Sequence, residues 1–189
     1  MSFEYSCFLS HRHVQPYGEL FSSFYRALYL SISARMEAYL PLPPFWDEKR
    51  IAGEYDSEEV ISEAVCKSIC MVPVYTPGYF HADRPLCSRE YFAMVDIEEH
   101  RKEVLEDGSI LRNQGLIIPI QFRGELPDFV WNQVQSLDFT SFGGTAKRLR
   151  NEHDAMHVIE TEFAGKIERL CDTVSTLFEL FNNDTCPNE

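Results

Sequence analysis

Short apolar runs recur along the chain, and each has the length of a buried β-strand. The predicted strands cover residues 3–10, 41–46, 69–75, 115–122 and 136–142. The second run, "PLPPFW", is stiffened by prolines at its start, and the last run would form a short edge strand. The apolar runs therefore predict a five-stranded sheet.

Between these runs, apolar residues recur at helical spacing. The predicted helices cover about 17–39, 58–67 and 87–105, and one long last helix carries a stripe from Met156 to Phe181. A loop is expected at Gly143 and Gly144. Alternating strands and helices predict an α/β fold, a flavodoxin-like, doubly wound, five-stranded parallel sheet flanked by helices. We expect a single domain over 1–182 and a flexible tail over 183–189.

Charge and hydropathy narrow the class of partner. The chain has 17 Lys and Arg against 30 Asp and Glu, a net charge of −13, so we expect no nucleic-acid partner, which would require a basic face. No apolar run approaches the roughly 20 residues of a membrane span, and the N-terminus lacks a signal pattern. The six cysteines form no CxxC pair and are expected to be free thiols of a cytoplasmic protein.

Candidate chemistry collects where the predicted strands end, which is the edge that binds ligands in open α/β sheets. Glu90 lies one turn into the helix after the third strand, and because helical side chains lean towards the N-terminus, its carboxylate should point back to the loops. The candidate substrate-binding residues are Ser10, His11, Arg12, Phe45, Trp46, Asp47, Arg50, Leu86 and Cys87.

Three common motifs are absent from the chain. It has no GxGxxG, no GxxxxGK[ST] and no GxSxG, which argues against a Rossmann-type dinucleotide fold, a nucleoside triphosphatase and an α/β-hydrolase. The segment "HDAMH" at 153–157 differs from the zinc-peptidase motif because Asp154 is a methylene shorter than the required Glu, and no metal site is expected.

Several candidates also have a purely structural interpretation. Glu90 is compatible with a solvated first helical turn, where the helix dipole favours an acid. Arg12 is compatible with a surface ion pair, Asp47 with a loop cap, and Cys87 with a packed residue at a helix start. The residue types alone leave these alternatives open.

The order of these pieces resembles a TIR (Toll/interleukin-1 receptor) domain from Tyr5 to about Phe181. "YSCFLSHRH" resembles the opening strand, and "FWDEKRIAGEYDSEEVISEAVCKSICMVPVYTPGYF" the second strand, BB loop, helix and third strand. "LCSREY" resembles the family's Cys-x-x-Glu, and "LIIPI" its fourth strand. The chain departs at Leu86, where catalytic relatives often have a nearby Trp, and at Ala52, where many have proline.

The resemblance implies an enzyme. In active TIR domains the Glu of Cys-x-x-Glu is the catalytic residue of an NAD+ glycohydrolase, which falls on Glu90 here. NAD+ would be the substrate and no cofactor would be needed. Ser10, His11 and Arg12 would donate to the diphosphate and ribose, and an aromatic such as Phe45 or Trp46 would stack on the ligand.

The resemblance also implies partners and products. Stand-alone bacterial relatives make ADP-ribose or a cyclic form of it, in some cases as an antiphage signal for a separate effector. The BB loop, about Glu48 to Asp56, would pair with a second copy or another TIR domain. Two alternatives remain open: a non-enzymatic TIR–TIR scaffold, which needs no acid at position 90, and a nucleoside deoxyribosyltransferase-like enzyme.

Overall fold

The structure of the protein is a computed structural model that describes residues 3–12, 18–46, 58–82, 85–104, 115–131, 136–145 and 152–181. The strands in these ranges are β1 (Tyr5–His11), β2 (Ser68–Tyr75), β3 (Ile120–Gln121) and β4 (Leu137–Asp138). The helices are α1 (Gly18–Met36), α2 (Glu58–Cys66), α3 (Leu86–Val104), α4 (Asp128–Trp131), α5 (Thr140–Thr145), α6 (Glu152–Glu162) and α7 (Ala164–Phe181).

The strands form one parallel sheet in the order β1-β2-β3-β4. The longest pairing joins β1 to β2, from Tyr5 opposite Ser68 to His11 opposite Val74. Every residue of β2 is buried, as expected of a parallel strand that is covered on both faces. The predicted parallel α/β architecture is therefore confirmed.

The second predicted strand, 41–46, is reduced to one bridge beside β1 within the described residues. Phe45 pairs in parallel with Phe8, and its amide donates to the Cys7 carbonyl at 2.8 Å. Pro43 and Pro44 precede it and carry no N–H to donate, so although the Pro43 carbonyl accepts a hydrogen bond from the Ser6 amide at 2.9 Å, the regular ladder does not continue through them. In the part of the chain that the structure describes, the sheet therefore has four strands where the apolar runs predict five.

Helices cover both faces of the sheet. Helices α1, α6 and α7 pack together, with α7 also on β2, whereas α2 and α3 pack on each other and on β1 and β2. Because successive strand residues point to opposite faces, Ser10 reaches Glu90 of α3 while His11 packs on Tyr25 of α1. The end of β1 thus contributes Ser10 to the contact with α3 and His11 to the contact with α1.

Two predicted elements near the C-terminus need correction. The long last helix is interrupted at Phe163, which is buried and stacks on Phe139 at a ring-centroid distance of 4.3 Å. The expected loop at Gly143 and Gly144 belongs to helix α5. Asp138 precedes this helix and accepts a hydrogen bond from the Thr140 amide at 2.8 Å, a local turn that starts it. The Thr140 side-chain and backbone donors, with nearby Lys166, also lower the pKa of Asp138.

Among the described cysteines, Cys66 differs from expectation. Cys7, Cys70, Cys87 and Cys171 are free and buried, and burial raises the pKa of the Cys7 thiol to about 12. Cys66, however, is disulfide-bonded, so the prediction of six free thiols is wrong. A reducing cytosol is inferred from free thiols, and Cys66 does not support that inference.

Within the described ranges, no helix combines the length and the apolar character that crossing a bilayer requires.

The far end of α3 carries a buried cation, Arg101, with 0% exposure. Its Nη1 donates to the Ile69 carbonyl at 2.8 Å, and its Nη2 donates to the Cys66 carbonyl at 3.3 Å. The guanidinium carbon also lies 4.8 Å from the Phe3 ring and 5.3 Å from the Phe181 ring. Arg101 therefore joins α3 to the end of α2, the start of β2 and two terminal aromatics.

Candidate active site at the carboxyl edge of the sheet

Glu90 lies at the first turn of α3, where that helix meets the carboxyl end of β1. Its side chain is 5% exposed, and its Oε2 accepts a hydrogen bond from Ser10 Oγ at 2.6 Å. The carboxylate thus points towards the strand end, as the lean of helical side chains predicts. Burying a carboxylate costs free energy unless it is hydrogen-bonded, and Ser10 supplies such a bond.

A second hydroxyl lies behind Ser10. The Tyr79 hydroxyl is 2.5 Å from Ser10 Oγ, and both side chains are buried. Burial, reinforced by neighbouring Cys87 and Glu90, raises the pKa of Tyr79 well above its usual range. Tyr79 therefore stays protonated and can act as a hydrogen-bond donor.

A cavity of about 310 Å³ lies between α2 and α3, and Glu90 forms part of its wall. Most of the other lining side chains are apolar or small. The lining residues are Glu59, Ile61, Ser62, Val65, Leu86, Arg89, Glu90 and Ala93. The buried acid consequently borders a space that a small molecule could enter.

Arg12 is anchored to the loop that leads into α3. Its Nη1 donates to the Gly78 carbonyl, and a Cβ built on Gly78 would overlap Nη1 and lie 2.8 Å from Cζ. The glycine therefore leaves the space that the guanidinium occupies. Arg12 Nε is buried and has no hydrogen-bond partner in the described part of the chain.

Three other sequence candidates lie in aromatic packing. His11 stacks on Tyr25 of α1 with ring centroids 3.7 Å apart, on the face of the sheet opposite Ser10. Trp46 packs on Tyr29 at 4.8 Å, and Phe45 stacks on Phe8 at 5.3 Å. His11 and Trp46 thus pack on rings of helix α1, and Phe45 packs on β1.

The remaining candidates divide between the start of α3 and the chain outside the described ranges. Leu86 is half-buried and lines the cavity, and Cys87 is buried, with its Sγ donating to the His11 carbonyl at 3.4 Å. Asp47, Arg50 and the whole predicted BB loop lie outside the described residues.

Tyr79 is the residue that sequence reasoning missed in this role. The sequence places it only in the segment between the third predicted strand and the helix that carries Glu90. A turn closed by the Tyr79 amide donating to the Thr76 carbonyl at 2.8 Å folds the loop back on the strand end. The nearest sequence signal is Gly78 within this turn, because glycine is common in tight turns.

No protein-family model and no curated protein matches the chain. Among solved structures, it is similar to the TIR domains in the structure of the activated Roq1 resistosome directly recognizing the pathogen effector XopQ. The identity is 18%, the match covers 96% of this chain and 92% of the other, and the TM-score is 0.37.

Proposed function

We propose that the protein is a TIR-like enzyme that cleaves the nicotinamide–ribosyl bond of NAD+, with Glu90 as its catalytic residue. The observation that carries the proposal is a carboxylate buried at the carboxyl edge of the sheet, held by Ser10 and open to a cavity. The resemblance of "LCSREY" to the catalytic Cys-x-x-Glu of active TIR domains supports the same residue.

The chemistry of this bond requires little more than a well-placed negative charge. When the glycosidic bond breaks, its electron pair goes to the pyridinium nitrogen, so nicotinamide leaves as a neutral molecule without a general acid. The sugar carbon left behind becomes oxocarbenium-like, and the Glu90 carboxylate stabilises that positive charge. A water molecule then adds to this carbon and releases a proton, which yields ADP-ribose.

A second, cyclic product would form if no water adds to the sugar carbon. Attack on the same carbon by an adenine nitrogen of the same molecule would give a cyclic ADP-ribose. By analogy with stand-alone bacterial TIR proteins, we propose that either product serves as an antiphage signal for a separate effector. We further propose that activity requires self-association through the segment from about Glu48 to Asp56.

The buried acid favours an enzyme over an interaction scaffold. An interaction scaffold needs no carboxylate at position 90 and gains nothing from burying one, since an unneeded buried acid costs stability. A deoxyribosyltransferase-like enzyme would use Glu90 in similar chemistry on nucleosides. The choice between these two enzymes is therefore a question of substrate.

The test is to incubate the purified protein at rising concentrations with NAD+, or separately with a deoxynucleoside, and to resolve the products by liquid chromatography and mass spectrometry. We expect nicotinamide release whose specific activity rises with protein concentration. Glu90→Gln should lower the rate by at least about 100-fold, the scale for losing a key electrostatic group. The mass and retention of the second product separate hydrolysis from cyclisation.

Glu99→Gln is the matched control, because Glu99 lies on the same helix α3 with an exposed side chain. It makes the same change of charge and should retain the wild-type rate. Release of base from the deoxynucleoside alone would favour the deoxyribosyltransferase. Absence of any reaction at the highest concentration would favour the scaffold.

A further inference from the structure

We propose that Tyr79 is a positioning residue of this site: its hydroxyl donates to Ser10, Ser10 donates to Glu90, and Tyr79 thereby orders the carboxylate without touching the substrate. The role of Glu90 in this inference rests on the function proposed above. The hydrogen-bond chain itself rests on the distances of 2.5 Å between Tyr79 and Ser10 and 2.6 Å between Ser10 and Glu90.

The direction of the chain follows from counting protons. An ionised carboxylate only accepts hydrogen bonds, so the Ser10 hydroxyl must donate its single proton to Glu90. Ser10 Oγ can then only accept from Tyr79, and the Tyr79 hydroxyl must be the donor. Hydrogen bonds linked in this way polarise one another, so a donor behind Ser10 makes Ser10 a stronger donor to the carboxylate.

Burial keeps this arrangement in place. Tyr79 is 0% exposed, so water does not compete for its hydroxyl. Its ring packs against Phe80 at 4.9 Å and Tyr75 at 6.4 Å between centroids. Because its pKa lies well above the usual range, the hydroxyl keeps its proton throughout the neutral and mildly alkaline range.

The hydrogen-bond chain from Tyr79 to Glu90 also changes the role expected of Ser10. Its one proton is committed to Glu90 while that carboxylate is ionised, so Ser10 has none to offer to the ribose or diphosphate. Ser10 then acts on the position of Glu90 rather than as a substrate-binding donor. Variants of Ser10 and Tyr79 should therefore affect turnover more than substrate affinity.

The kinetic test compares Tyr79→Phe, Ser10→Ala and the double variant with wild type. We expect Tyr79→Phe to lower kcat about ten-fold, with KM within about two-fold of wild type. Ser10→Ala should lower kcat at least as much. Because Tyr79 acts through Ser10, adding Tyr79→Phe to Ser10→Ala should cause no further loss. Additive losses, or a higher KM with unchanged kcat, would overturn the proposal.

Tyr75→Phe is the matched control, since it removes a hydroxyl from a neighbouring ring at the end of β2. It should leave kcat and KM at wild-type values. Tyr79→Phe retains the aromatic ring, so its packing is preserved and a loss of activity is not a loss of fold.

The pH profile supplies a further check. In Tyr79→Phe the Glu90 carboxyl loses support from the hydrogen-bond chain and becomes harder to ionise. The acidic limb of the plot of kcat against pH should therefore move to higher pH.

A measurement that needs no activity separates this inference from the proposed function. The Glu90 carboxyl carbon can be followed by ¹³C NMR as pH is lowered, with Glu90→Gln to assign its signal. We expect its titration midpoint to rise in Tyr79→Phe and in Ser10→Ala, and to rise no further in the double variant. A midpoint unmoved in Tyr79→Phe would overturn the hydrogen-bond chain even if NAD+ is cleaved, whereas the expected shifts without NAD+ cleavage would refute only the enzyme.

Discussion

Helix α3 buries a charged side chain near each of its ends, Glu90 at the carboxyl edge of the sheet and Arg101 at the opposite edge. Main-chain carbonyls and aromatic rings surround Arg101, and these groups belong to the fold itself. The Ser10 hydroxyl donates a hydrogen bond to Glu90, which also borders a cavity. Both charges are buried, and the acid adjoins a cavity that a second molecule can occupy.

The comparison separates two reasons for burying a charge. Arg101 satisfies carbonyls around the start of β2, so it contributes to assembly of the sheet. Glu90 instead accepts a hydrogen bond from the Ser10 hydroxyl, a side-chain donor that another residue could replace. Burial alone therefore does not mark a functional residue; the identity of its partners does.

The largest effect on stability should come from Arg101→Met. Loss of the guanidinium leaves buried carbonyls without their donor, and we expect the free energy of unfolding to fall by about 3 kcal/mol. Urea denaturation followed by circular dichroism measures this loss. Arg101→Lys, which keeps the charge with fewer donors, should lose less, and a change below about 1 kcal/mol in Arg101→Met would contradict the role assigned to Arg101.

Gly78→Ala should have a smaller effect on stability and a visible one on binding. The new methyl group would displace the Arg12 guanidinium, which is the far end of a flexible side chain, so the unfolding free energy should fall by less than about 1 kcal/mol. If Arg12 contacts the substrate, KM for NAD+ should rise several-fold.

Gly165→Ala is the control for that substitution, because a Cβ at Gly165 has nothing within 4 Å. It lies in α7, where alanine favours the helix, and should leave KM unchanged. If KM is also unchanged in Gly78→Ala, Arg12 does not contribute to substrate binding.

Glu90→Gln should have the smallest effect on stability. The amide has the shape of the carboxylate and removes a buried charge, so we expect the free energy of unfolding to change by less than about 1 kcal/mol, or to increase slightly. The same urea denaturation measures it. A loss as large as that of Arg101→Met would show that both ends of α3 serve the fold, and would remove the distinction between them.

The sequence predicts those parts of the molecule that depend on local pattern. The apolar runs identify β1 and β2, and helical spacing places α1, α2 and α3 within a few residues of their bounds. Pro43 and Pro44 explain why 41–46 yields one bridge instead of a strand. The apolar stripe continues across Phe163, and for that reason periodicity alone does not reveal the break between α6 and α7.

The site could be predicted only in part. The lean of Glu90 towards β1 follows from helix geometry and needs no tertiary information. The separation of His11 from Ser10 follows from strand alternation, which shows that adjacent residues cannot both face one ligand from a regular strand. The roles of Tyr79 and Arg101 depend on which segments meet in space, and no local pattern contains that information.

The hydroxyl chain from Tyr79 through Ser10 to Glu90 also has a consequence for how the protein folds. It joins residues that are 69 and 80 positions apart in sequence. Contacts between such distant residues form slowly, because the entropy cost of closing a long loop precedes the free energy gained from the contact. The site can therefore exist only after β1 has docked beside β2, and its assembly would report a late event on the folding pathway.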